Sequence, residues 1–232
     1  MADPHVQLFF WSGATVGLYF TVKAAYRRTR RWFLMPIVVT PALLIAAALL
    51  LHTSYRDYNG ATHWLTAFLG PATVAFAVPI YEHRAVIRAH WQVLAIATLA
   101  GSLTAAGSAW LLASALGLDG ALRLSLLPRS ISTPFAMTVS ADIGGIPELT
   151  AMFVVLTGLA GTVIGELMLL YVPVRSALAR GTLLGMGAHG AGTAKAYEIG
   201  AQEGSIAGLT MVLVGLFNVL IAPLIVKCAE VS

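Results

Sequence analysis

The chain has 232 residues, of which 58% are hydrophobic and only 10% charged, with a formal net charge of +4 and a single cysteine. A soluble domain carries about 25% charged residues, so this composition, with a mean hydropathy of +0.83, excludes one and describes an integral membrane protein. The lone Cys228 excludes an intramolecular disulfide and any multi-cysteine metal site, and the basic excess clusters between two apolar runs rather than along a nucleic-acid-binding face.

The first apolar run, Leu8 to Val22, follows Asp3 and His5 where a secretory signal would want lysines, and no small-residue cleavage site comes after it. It is therefore expected to stay in the protein. "KAAYRRTRR" at 23–31 reads as a cytoplasmic anchor, which puts the N-terminus outside, sends Trp32 to Leu51 outward, and leaves "HTSYRDYNG" external. Trp32 to Leu51, Ala61 to Tyr81, Trp91 to Leu118 and Gly204 to Val226 each reach the roughly 20 residues a spanning helix needs, and Leu149 to Val174 is interrupted only by Glu166.

Three stretches resist reading as straight helices. Ala61 to Tyr81 contains Gly70-Pro71 and Pro79, "LPRSISTPF" at 127–135 has two prolines and three hydroxyls, and "GMGAHGAGTAKAYEIG" at 185–200 is rich in glycine. Irregular backbone at membrane depth survives only inside protein or beside a water-filled cavity, so the three suggest one shared cavity. Whether they cross or re-enter stays open at this level. In order, 32–51, broken 61–81 and 91–118 are matched by 149–174, broken 182–200 and 204–226 with opposite orientation, the hydropathy pattern of inverted repeats in secondary transporters. The expected fold is thus an all-α polytopic helix bundle forming a single transmembrane domain over 1–232. Residues 8–51 are its N-terminal scaffold, and the broken segments fall near 61–81, 127–140 and 182–200.

Gly185, Gly187 and Gly190 fit G-x-G-x-x-G, but a dinucleotide loop follows a strand, and no alternation of strands and helices exists here. The plainer alternative is that Gly187, Gly190, Ala191 and Ala194 let helices approach closely. That leaves His189 and Lys195 unexplained. A lysine or arginine at the bilayer centre costs about 2.5 to 3.5 kcal/mol, so Arg129 and Lys195 should face a cavity or a counter-charge. With Ser130, Ser132 and Thr133 on one broken segment, His189, Gly192 and Thr193 on another, and the free N–H groups of interrupted helices, they compose an anion site. The alternatives are a Lys195 pair with Glu198 or Glu203 and an Arg129 that snorkels to the interface. Glu166 and His189 are the candidates for proton coupling, facilitated diffusion being the alternative; for Glu166, pairing with an arginine or facing water competes. No G-x-S-x-G, H-E-x-x-H or cysteine pair occurs, so no enzyme, cofactor or metal is expected.

"FLGPATVAFAVPIYEHR" at 68–84, "LPRSISTPFAMTVSADIGGIPELTAMFVVLTGLAG" at 127–161 and "GAHGAGTAKAYEIGAQEGSIAGL" at 187–209 closely resemble the LrgB/CidB family over about residues 55 to 226. The resemblance marks Gly70, Pro71, Ala72, Thr73 and Pro79, then Pro128, Arg129, Ser130, Thr133 and Pro134. It also marks Gly144, Gly145, Pro147 and Thr150, and finally His189, Gly192, Thr193 and Lys195. It implies either a carrier of small monocarboxylates, as in the plastid glycolate and glycerate translocators and bacterial relatives linked to pyruvate, or a holin-like or antiholin-like protein that modulates murein hydrolase activity and lysis. It also implies a multi-pass protein of the bacterial inner membrane beside a small LrgA/CidA-like partner. A homodimer is expected, because a rigid scaffold usually doubles as an interface, and Pro71 and Thr73 join the expected substrate-binding residues.

Overall fold

A computed structural model describes residues 4–29, 34–118 and 120–230, and every regular element among them is helical. The chain divides into two compact units, Met1–Pro71 and Ala72–Ser232. Tyr55–Glu82, Arg84–Ala115, Pro147–Tyr171 and Ala201–Ala222 are long and apolar enough to cross a membrane.

The first unit holds α1 (Pro4–Thr29), α2 (Pro36–Leu50) and α3 (Tyr55–Thr62). Arg27 and Arg28 fall in the last turn of α1, where they oppose the negative end of the helix dipole, while Arg30, Arg31 and Trp32 lie outside the described residues. The expected span from Trp32 is shorter than anticipated. Pro36 opens α2, a position where its missing N–H is not needed, and only 15 residues follow in helix. Trp11, Leu44 and Ala61 form the buried centre of this unit. Ser12 fastens it, donating to the Ala61 carbonyl at 3.0 Å and accepting from the Trp64 indole at 2.7 Å.

Ala61 to Tyr81 is interrupted as its prolines demand. A 3-10 stretch at His63–Phe68 leads into α4 (Leu69–Ala75), and a turn at Phe76 separates it from α5 (Ala77–Glu82). In the second unit follow α6 (Arg84–Ala115), α7 (Gly120–Leu126), α8 (Thr133–Asp142), α9 (Pro147–Tyr171), α10 (Ala177–Ile199) and α11 (Ala201–Glu230). His90 breaks α6 at φ −126°, ψ 23°, one residue before the expected start of its apolar run. Gly117 ends α6 at φ 67°, and Gly144 ends α8 at φ 84°. Each lets the next residue's N–H reach back five residues, Leu118 to Ala113 and Gly145 to Ser140, the closure that glycine's left-handed freedom permits.

The central feature of the second unit is that two segments double back. Thr150 Oγ1 lies 2.9 Å from the Ser125 carbonyl and 2.7 Å from Ser140 Oγ, so residues before and after the 127–132 break sit against one point on α9. In the second segment, Arg180 and Glu203 pair at 3.6 Å, although a straight helix would carry them roughly 35 Å apart. A Cβ placed on Gly192 would press on the Leu184 carbonyl, and Leu184 and Ala196 share one buried cluster. Both segments are therefore helix hairpins, each of which folds back on itself. The first has its base beside the start of α9, at Ile146 and Thr150, and the second beside the far half of α9, at Gly165 and Glu166. They enter from opposite ends of that helix.

Candidate functional site

The two tips meet beside the middle of α9. Ile131, at the first tip, clusters with Val154, and the His189 ring, at the second, lies 3.4 Å from where a Gly158 Cβ would stand, one helical turn further on.

The first tip is made by proline. Pro128 sits in the 3-10 turn Leu127–Ser130, Ile131 and Ser132 are extended, and α8 restarts at Thr133 with Pro134 in its first turn, where a missing N–H breaks no bond. The second is made by His189 itself, at φ 43° and ψ −118°, a conformation that an L residue adopts only under constraint. Its ring is held in place by burial, being 3% exposed. Gly158 leaves it room, and Thr193 Oγ1 donates to its carbonyl at 2.8 Å.

Arg129 stands at the first tip and lines a 510 Å³ groove with Ser130, Thr157, Gly161, Leu183 and Gly187. Its guanidinium reaches Thr157 Oγ1 at 3.4 Å, the long end of the hydrogen-bonding range, and no carboxylate of the described residues pairs with it. The groove is apolar along Leu156, Ile164 and Met168 and polar at the arginine end. Each tip also brings backbone ends together: α8 and the returning half of α10 start there, and the incoming halves finish there. The partial charges of these ends oppose one another, so the Arg129 guanidinium gives the region its sign. Ser132 Oγ and His189 Nε2 are buried there without a hydrogen-bond partner.

The expected residues do not all gather at this place. Arg129 and Ser130 line the groove, and Ser132, Thr133 and His189 belong to the tips. Thr193 binds the His189 carbonyl, and Gly192 is a packing glycine against Leu184. Pro71 is the exposed last residue of the first unit, and Thr73 is half-buried in α4. Lys195 lies elsewhere, lining a 280 Å³ pocket and bound to Glu166 at 2.8 Å and Glu198 at 3.2 Å. Glu166 thus pairs with a lysine rather than an arginine, and Glu203 goes to Arg180.

The small-residue face of α10 is not the one that the packing alternative named. Gly187, Gly190 and Ala194 are exposed, while Gly181, Gly185, Ala188, Gly192 and Ala196 are buried. A Cβ on Gly185 would strike the Ala207 carbonyl, and one on Gly181 the Glu203 carbonyl at 2.7 Å, so these two bring the incoming half onto α11. Thr157 and Gly161 were missed by the sequence reading, because a lone threonine or glycine in an apolar helix carries no signal until the groove exists.

The sequence profile of the family described as "LrgB-like family" matches residues 15–228, extending well before residue 55. "Uncharacterized protein YwbG" of Bacillus subtilis is 42% identical over 213 residues, 92% of this chain and 95% of that protein. "Uncharacterized protein YxaC" of the same organism is 36% identical over 212 residues, 91% of this chain and 92% of that one. "Antiholin-like protein LrgB" of Bacillus subtilis is 34% identical over 203 residues, 87% and 88% of the two chains. No solved structure matches the chain.

Proposed function

Since the chain belongs to the LrgB-like family, we propose that it carries small monocarboxylates across the bacterial inner membrane, holding the carboxylate at Arg129 where the two hairpin tips meet. The observation that carries this reading is an arginine with no carboxylate counter-charge among the described residues, lining a groove at the meeting point of two opposed hairpins. An uncompensated cation in apolar surroundings is costly, and an arriving carboxylate removes that cost while gaining charge-assisted hydrogen bonds. Hairpins opening from opposite ends suit alternating access, one hairpin exposing the site to each side in turn. In the same reading the two halves of the chain are inverted repeats, residues 8–51 serve as scaffold, and the protein works as a homodimer.

Lys195 already has two carboxylates, so the proposal assigns the anion to Arg129 and gives Lys195 a positioning role on the second hairpin. With Glu166 engaged in that pair, His189 is the remaining candidate for proton coupling.

A second reading is favoured by the Bacillus subtilis relative named "Antiholin-like protein LrgB": this chain would then form or restrain a pore, together with a small LrgA/CidA-like partner. Uptake of radiolabelled pyruvate and glycolate into proteoliposomes containing only this protein separates the two. Saturable uptake abolished in a folded Arg129→Ala variant supports the carrier. Leak of unrelated solutes, equal in both proteins, rules the carrier out.

A further inference from the structure

Thr210 on α11 is 1% exposed, and its hydroxyl has no hydrogen-bond partner. Among the described helical threonines, Thr40 and Thr182 share this state, and others do not. Thr15, Thr138, Thr150, Thr162 and Thr193 each donate to the carbonyl four residues back. A buried hydroxyl without a partner destabilises the protein that contains it, so its persistence needs a reason.

Its position supplies one. Residues 207, 210 and 214 share one face of α11 by helical spacing. Ala207 abuts Gly185, one turn before the second tip, and Val214 clusters with Ile131 and Phe135 of the first hairpin. Thr210 therefore stands roughly 4.5 Å along the axis past Ala207 and about 6 Å before Val214, level with the place where the tips meet. Ser132 Oγ and His189 Nε2, the tips' own buried polar atoms, lack partners too. The other buried polar atoms without partners, on Thr40, Arg123 and Thr182, lie in the first unit or towards the hairpin bases.

We propose that Thr210 Oγ1, together with Ser132 Oγ and His189 Nε2, forms the inner face of the carboxylate site and hydrogen-bonds the bound anion opposite Arg129. This deepens the carrier reading and rests on it. The idea separates binding from stability, because a hydroxyl kept for a ligand weakens the empty protein whereas a structural hydroxyl strengthens it.

The test compares wild type, Thr210→Val and Thr210→Ser by KM for radiolabelled pyruvate in proteoliposomes and by melting temperature of the empty protein in detergent. Thr210→Val should raise KM roughly tenfold, the value of one hydrogen bond to a charged group, with a melting temperature equal to or above wild type. Thr210→Ser should stay within about twofold in KM. An unchanged KM in Thr210→Val, or a lowered melting temperature with or without a KM change, overturns the assignment in favour of packing, and normal wild-type uptake then leaves the carrier reading standing. Absence of saturable uptake by the wild type removes that reading and this assignment together.

Discussion

The two hairpins of the second unit reach the same place by different means. The first is fastened by directional bonds: Ser125 Oγ accepts from the Ile146 N–H at 2.7 Å, and Thr150 Oγ1 bridges the Ser125 carbonyl and Ser140. The second lies between glycine surfaces, Gly158, Gly161 and Gly165 of α9 on one side and the start of α11 on the other, and a single ion-paired lysine ties it to α9. Hydrogen bonds fix register, whereas glycine faces fix only distance. The first hairpin is thus held to α9 by hydrogen bonds and the second by close packing and an ion pair, so the second is expected to loosen from α9 more readily when that pair is lost.

The largest expected effects come from filling the glycine faces. Gly185→Ala and Gly161→Ala each drive a methyl into a backbone carbonyl, of Ala207 and Gly187 respectively, and backbone cannot swing aside as a long side chain can. Each should cost about 3 kcal/mol, the upper end of overpacking, read as loss of thermal stability in detergent. Gly187→Ala meets nothing within 4 Å and should be neutral or slightly stabilising. Equal changes in all three would mean that close approach does not govern this face.

Next is the fastening of the first hairpin. Thr150→Val keeps the shape but strands Ser140 and the Ser125 carbonyl, and should cost about 2 kcal/mol. Thr150→Ser should recover most of it. A smaller effect is expected at the second tip. His189→Ala and His189→Gly lose the same imidazole, yet glycine accepts φ 43° and alanine does not, so the glycine variant should be more stable by about 1 kcal/mol. Identical melting temperatures would show that the tip relaxes without the ring and that its conformation is not intrinsic to the turn.

The interruptions themselves were legible because proline and glycine act locally: Pro128, Pro134 and the glycines around His189 fall where the helices break. What they build was not. The fold-back depends on contacts such as Ser125 with Thr150 and Arg180 with Glu203, between residues too far apart in the chain for periodicity to report. The small-residue face of α10 was not legible because 187, 190 and 194 and 181, 185, 188, 192 and 196 both have helical spacing, and only the neighbours they meet, such as Ala207 and Leu184, decide which set looks inward. Lys195 was recognised as needing a counter-charge, but Glu166, 29 positions earlier by the numbering, becomes its neighbour only after the second hairpin folds against α9.

The smallest effect on stability is expected at that ion pair, where the asymmetry of the hairpins is most directly exposed. Lys195 is 22% exposed and Glu166 52%, so Glu166→Gln should cost no more than about 1 kcal/mol, and Glu198 still engages the lysine at 3.2 Å. Its consequence for motion should be larger than its consequence for stability, because the other contacts between this hairpin and α9 run through glycines. Hydrogen exchange in Glu166→Gln should therefore quicken across 177–199 while 120–142, held by Ser125 and Thr150, keeps its wild-type protection. Equal quickening in both hairpins would mean that they move as one body, and the contrast between a fastened hairpin and a more loosely held one would then fail, since the same α9 surface would be transmitting the loss to each.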